Sequence, residues 1–293
     1  ESAEGVCVVR KIRLVIGVLI VLACTLGANT GSGSSWQRPP QDVLDVLHAP
    51  ELPLVRPNPT GETLALLKPL RYPPIADLAQ PMLRLAGVRI NPQTNGPHGQ
   101  VYMVELALMR VADGREQPIA LPSDPRISRF QWSADGQRFC FLNQVSDRIE
   151  LWIGETASGR ITLVPDLAMN PTLSSEATWM PDQRTLLVKR VPPGRGAPPE
   201  EAQAPSGPNV QECAGQSASS TYEARDVLTS PRDEALFEFY ALSQLALVDA
   251  RTGTVTPVGE PGILAEVQPA PDGHRILVER IQKPWSYLHA WYR

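Results

Sequence analysis

The chain is poor in the residues that usually carry chemistry. It has 4 histidines among 293 residues, and His48, His98, His274 and His289 never fall at the i, i+4 or H-x-H spacing that builds a metal site. No G-x-S-x-G pentapeptide occurs. The one glycine pair at that spacing, Gly27 and Gly31, has Asn29 between, so no nucleophile elbow is available to expose a serine. Walker and Rossmann fingerprints are absent too. No catalytic, metal or cofactor-binding residue is therefore assigned, and no cofactor is expected. Glu200 and Glu201 lie in a Pro-rich loop and read as solvated charge, not an acid/base pair. Charge of one sign is also lacking. With 27 Lys and Arg against 31 Asp and Glu, net charge is −4, which excludes a nucleic-acid footprint.

Cysteine is sparse, at 4. Cys7 and Cys24 fall in the first 35 residues, leaving Cys140 and Cys213, too few for a metal cluster. A disulfide between them would need an oxidising compartment. Cys140 sits between Phe139 and Phe141 in a strand pattern and reads instead as a small buried hydrophobe.

No hydrophobic run is long enough to cross a bilayer, which takes ~20 residues. Leu14–Leu26 comes nearest, broken by Gly17, Cys24 and Thr25. Arg10, Lys11 and Arg13 precede it, and small and polar residues follow. That three-part pattern is a secretory signal peptide, with an uncleaved anchor or a buried helix as the alternatives. Residues 1–35 are thus expected to be an export segment and linker, and residues 36–293 a domain in the bacterial periplasm or envelope. Val21-Leu22-Ala23-Cys24 resembles a lipobox, which would make Cys24 a lipid attachment site and the product a lipoprotein. Membrane contact is expected only through that segment or a lipid anchor.

Proline is abundant. Its 30 residues are about twice ordinary usage and argue for many turns and against a helical bundle. The turns repeat. Leu151–Val164 and Leu245–Val258 each read strand, turn, strand and superpose without a gap, and Leu106–Ile119, turning at Asp113-Gly114, is a weaker copy. A second element alternates with the first. Trp132-Ser133-Ala134-Asp135-Gly136, Trp179-Met180-Pro181-Asp182-Gln183, Ala270-Pro271-Asp272-Gly273 and Asn58-Pro59-Thr60-Gly61 each feed an apolar strand. Gly114 and Gly159 are 45 residues apart, Asp135 and Asp182 47. Four short strands per ~45 residues is the period of a propeller blade. The Asp-Gly turns resemble the repeats of periplasmic propellers of the WD40/TolB type. The expectation is an all-β chain forming an incomplete β-propeller of about four blades, against a β-sandwich with accidental turn similarity. Trp132, Trp152 and Trp179 recur with the repeat and are expected to fill core between blades, not to stack on a ligand.

Two stretches break the period, Leu70–Gln100 and about 192–230. The second is rich in proline and reads as a solvated or disordered insertion. It should re-enter structure as a helix capped by Ser230, with Pro231 at its first position, Asp233 in its first turn, and Leu236, Phe237 and Tyr240 on one face. An open ring would leave strand edges bare, so further blades are expected after Arg293.

Several segments together are similar to one family. They are Ile75–Pro92 (IADLAQPMLRLAGVRINP) with Thr94-Asn95-Gly96-Pro97, then Asp233–Tyr240 leading to Ser243–Asp249, and Leu277–Ile281 with Pro284–Leu288. With the opening Trp36–Pro53, they resemble the N-terminal region of the prolyl oligopeptidase (S9) serine peptidases, in the glutamyl-endopeptidase-like branch. The resemblance implies a propeller that gates substrate access and docks an α/β-hydrolase domain. That second domain would supply Ser, Asp and His for peptide-bond hydrolysis, with cleavage after Glu implied by the branch. This chain holds none of that machinery, so any peptide substrate would be met through the hydrolase domain of a parent protein. The alternatives are a non-catalytic envelope propeller binding a protein or ligand, and a fragmentary product that does not fold stably.

Overall fold

The computed structural model describes residues 38–173, 177–200 and 226–290. The export segment with Cys24, the insertion's interior with Cys213, and Trp291 and Tyr292 lie outside the described residues. The chain divides into two compact units at Pro50. The described part of the first holds helix α1 (Gln41–Leu47), with Asp42 in its first turn and no buried residue.

The second unit is mostly β, as the repeats lead one to expect. Strands β1 (Leu54–Pro57) and β2 (Thr63–Pro69) open it. An insertion over 70–102 follows, carrying helix α2 (Ile75–Leu78) and a small sheet of β3 (Leu83–Leu85), β4 (Val88–Asn91) and β5 (Gly96–Pro97). Strands β6 (Met103–Arg110) and β7 (Glu116–Pro118) then return beside β2, completing a four-stranded antiparallel meander. A second meander is uninterrupted: β8 (Ile127–Trp132), β9 (Arg138–Gln144), β10 (Ile149–Glu155) and β11 (Ile161–Leu163). A single residue pair, Met103 with Ile127, joins the two.

The third sheet begins with β12 (Ala177–Trp179) and β13 (Thr185–Arg190). A second insertion over 191–241 ends in helix α3 (Pro231–Ala241), after which β14 (Leu242–Asp249) pairs with β13. Strand β15 (Val255–Pro269) pairs with β14 by its first half, and its second half pairs with β16 (Ile276–Arg280). Both insertions thus fall between the second and third strands of a meander.

The expected turns are the observed ones. Gly61, Gly136 and Gly273 hold φ of +77°, +68° and +71°, and Gln183, in the same place of its repeat, holds +55°. Each turn aspartate ties the loop by accepting backbone N–H groups: Asp135 from Gln137, Asp182 from Arg184 and Thr185, Asp249 from Arg251 and Thr252.

Successive strand residues point to opposite faces, and here both faces find a core. On β9, Phe139 and Phe141 pack with Ala65, Leu67, Leu106 and Leu108 of the first meander. Their neighbours Cys140 and Leu142 face the other way, onto Leu186, Val188, Ala246 and Val248 of the third sheet. On β13, Leu187 turns from that core to meet Leu245, Leu264 and Val267. The sheets are layered in chain order, each central one apolar on both sides. Gly154 of β10 makes room for the fully buried Phe139 ring, since a Cβ there would lie 2.1 Å from its Cζ.

Candidate functional site

The expected helix forms as its sequence dictates. The Ser230 hydroxyl accepts from the Asp233 N–H at 3.2 Å, Pro231 stands at the first helical position, and Leu236, Phe237 and Tyr240 are buried. Burial pushes the Asp233 carboxyl up, but hydrogen bonds from Thr229 and from Ser230 outweigh it and hold the group below the usual carboxylate range. The buried face of α3 meets Leu85, Ala86 and Ile90 of the first insertion and Leu173, with Trp285 packed alongside. Phe237 is fully buried, edge-on to Trp285 at 5.3 Å.

A helix C-terminus leaves backbone carbonyls without intrahelical partners. Those of α3 are taken up by side chains from three separate stretches. The Tyr240 carbonyl accepts from the Asn95 and Asn170 amides, each at 3.1 Å, and from the Thr172 hydroxyl at 3.3 Å. The Phe239 carbonyl accepts from Arg195 Nη1 at 2.9 Å, and the same nitrogen donates to Asn95 Oδ1 at 2.7 Å. The Arg195 guanidinium lies 3.9 Å from the Phe239 ring centroid. Its cation suits the negative end of the helix dipole. The flanks of the second insertion are therefore ordered by packing and hydrogen bonds, with Leu228 buried as well. At the far side, Asp226 receives Arg89 Nε at 2.9 Å, and its carbonyl accepts from the Gly87 N–H.

Between the second insertion and the strands β15 and β16, a cavity of about 590 Å³ opens beside Arg195, Phe239, Arg280, Lys283 and Trp285. A larger cleft of about 1050 Å³ lies between the turns of the first two meanders. Arg110 and Glu155, which line it, are engaged by Asp113 and Arg160 at 3.2 and 2.9 Å.

The residues singled out in the sequence fall into structural places. His98 Nε2 donates to the Gln80 carbonyl at 3.1 Å. His274 follows its turn, its N–H on Asp272. The Trp179 side chain is in the core, while Trp132 and Trp152 are partly buried and donate to the Arg56 carbonyl and to Glu150. Cys140 is free and buried, as expected of a small hydrophobe. Burial pushes its thiol up to about 12, with the neighbouring Trp179 pulling the other way. Among the described residues no group of three or more His, Cys, Asp or Glu could hold a metal ion. No described helix is long and apolar enough to cross a membrane. The cluster of Asn95, Thr172 and Arg195 carries no signal that sequence reasoning could have found. Arg195 stands in a Pro-rich stretch that reads as solvated loop, and its partners lie far away along the chain.

No family model matches the chain. It is 32% identical over 267 residues to a probable chloroplastic glutamyl endopeptidase of Oryza sativa subsp. japonica, covering 86% of this chain and 28% of the relative. A protein of the same description from Arabidopsis thaliana is 30% identical over 269 residues, covering 87% and 28%. The chain thus spans little more than a quarter of the curated relatives it matches. Among solved structures, it is similar to the β-propeller domain of the Trilobed protease from Pyrococcus furiosus (TM-score 0.38, 11% identity, 78% of this chain and 49% of that one). It is also similar to the uncomplexed acylaminoacyl peptidase of Pyrococcus horikoshii (0.37, 12%, 80% and 28%) and to a putative TolB from Agrobacterium tumefaciens (0.36, 11%, 79% and 54%). Those three likenesses are weak, and the weight rests on the two sequence relatives.

Proposed function

This chain is, over most of its length, a relative of part of the glutamyl endopeptidases of the prolyl oligopeptidase (S9) family, and from that premise we propose that it is the β-propeller portion of an exported serine peptidase. The match across 86% of the chain is the observation that carries the reading. The layering of the meanders supports it, because blades stacked around an axis must be apolar on both faces, as β9 and β13 are. The role is to gate the approach of peptides and to dock an α/β-hydrolase domain, whose serine would form the acyl-enzyme with a histidine as base. About four blades belong to this chain, and residues 1–35 direct its export.

The test is the intact mass of the native protein in its source, detected with an antibody to residues 51–173. A species more than twice the 32.0 kDa of this chain, labelled by a fluorophosphonate, is expected. A species at or below 32.0 kDa that takes no label would overturn the peptidase reading.

A further inference from the structure

We propose that Asn95 is a covalent modification site, a deamidating asparagine that the C-terminal end of α3 holds latent. Gly96 follows it, and this is the one Asn-Gly pair in the chain. A glycine after asparagine leaves the peptide nitrogen between them open to approach. Once that nitrogen loses its proton, it can attack the side-chain carbon of Asn95. The N–Cγ bond forms, the Cγ–Nδ2 bond breaks, and ammonia leaves behind a succinimide. Water then opens the ring to aspartate or isoaspartate. Asn58, Asn91 and Asn170 each precede a proline, whose nitrogen has no proton to lose. The chemistry therefore concentrates at Asn95.

The fold demands both residues of the pair. A Cβ at position 96 would stand 2.2 Å from Ile149 Cδ1, which is packed in the core. Asn95 holds φ of +57°, a left-handed backbone that asparagine tolerates better than most residues. Its side chain must both give and take. Nδ2 donates to the Tyr240 carbonyl at 3.1 Å and to Thr172 Oγ1 at 3.2 Å, while Oδ1 accepts from Arg195 at 2.7 Å. The same bonds keep the pair from reacting, because attack needs the side chain to turn back onto the next nitrogen. The Thr172 hydroxyl also holds the Asn95 backbone carbonyl, at 3.2 Å. Asn95 is 6% exposed and Gly96 is buried, which shuts out base and water. The products do not fit the site. Aspartate keeps Arg195 on one oxygen but sets the other against the Tyr240 carbonyl, where a donor stood. Isoaspartate adds a methylene to the backbone between β4 and β5. A transient release of α3 thus becomes permanent once Asn95 has reacted.

Peptide mapping by mass spectrometry of the 293-residue chain, aged in mildly alkaline buffer, reads the conversion directly and independently of any peptidase activity. Conversion at Asn95 is expected to be roughly tenfold or more slower in the folded chain than in urea, because it must wait for local opening. Arg195→Ala and Thr172→Val, each verified as folded by circular dichroism, should both convert faster than the native chain. Where a variant does not fold, the native chain in rising sub-denaturing urea replaces it, and conversion should rise together with proteolytic cleavage within 191–241. Asn95→Asp should lower the thermal midpoint and be cleaved sooner within the same stretch. Equal rates folded and unfolded would overturn the site. So would a rate that neither variant nor sub-denaturing urea changes, or an Asn95→Asp protein with the native midpoint and cleavage pattern.

Discussion

Gly136 and Gly114 both hold left-handed φ, yet their surroundings differ. A Cβ at Gly114 meets nothing within 4 Å, whereas one at Gly136 would stand 2.2 Å from Asn58 Oδ1. Asn58 is buried and spans the first two meanders, its amide donating to the Gly136 carbonyl at 2.9 Å and its oxygen accepting from the Thr60 N–H at 2.7 Å. Gly114→Ala should cost only the backbone term, about 1–2 kcal/mol. Gly136→Ala should cost a further ~1–3 kcal/mol, because the displaced Asn58 leaves buried polar groups unsatisfied. Urea unfolding of the two variants measures the difference, and equal costs would mean that Asn58 simply moves aside.

At the scale of the element, the recurring Asp turn is an acid-sensitive clasp. Burial raises the pKa of Asp135 and of Asp182. Hydrogen bonds from Ser133 and the Gln137 N–H, and from Thr185 and the Arg184 N–H, outweigh it, so both groups fall below the ordinary value. Asp249 is lowered first by the N–H groups of Thr252 and Arg251. A carboxyl whose pKa is depressed by folding stabilises the fold above its unfolded value, near ~3.9, and loses that contribution as pH falls through the folded value. Asp182→Asn should therefore be less stable at pH 7 and show a flatter loss of stability below about pH 4 than the native chain. Tryptophan fluorescence against pH reads both. These turns were legible because each is encoded within five residues: an Asp that clasps the loop and a residue in left-handed backbone, next to Asp135 and Asp182 and four positions after Asp249. Even Gln183, without glycine's freedom, takes the expected conformation and holds the Ala134 N–H at 2.6 Å. The small sheet β3–β5 was not legible, since strands of two to four residues carry too little alternation to register as a period.

At the scale of the molecule, stability of the insertions depends on contacts that no local pattern announces. The face of α3 was readable from Leu236, Phe237 and Tyr240, but what it packs against was not, because Leu85 and Ile90 lie far earlier in the chain. Phe237→Ala should lower stability by about 3–5 kcal/mol, the usual cost of emptying a fully buried aromatic site. It should also expose residues 70–102 to limited proteolysis along with 191–241, because each insertion packs on the other. Cleavage confined to 191–241 would mean that the first insertion stands alone.

Both insertions leave and rejoin their meanders at the same kind of junction, after the second strand and before the third. The ladder closes behind each of them: Lys68 pairs with Glu105, and Arg190 with Gln244, whatever lies between. Lengthening a loop whose ends are already held adds little entropy, about 0.6 kcal/mol for each doubling. These junctions are therefore ports where chain can be spliced in or exchanged while the layered sheets stay as they are.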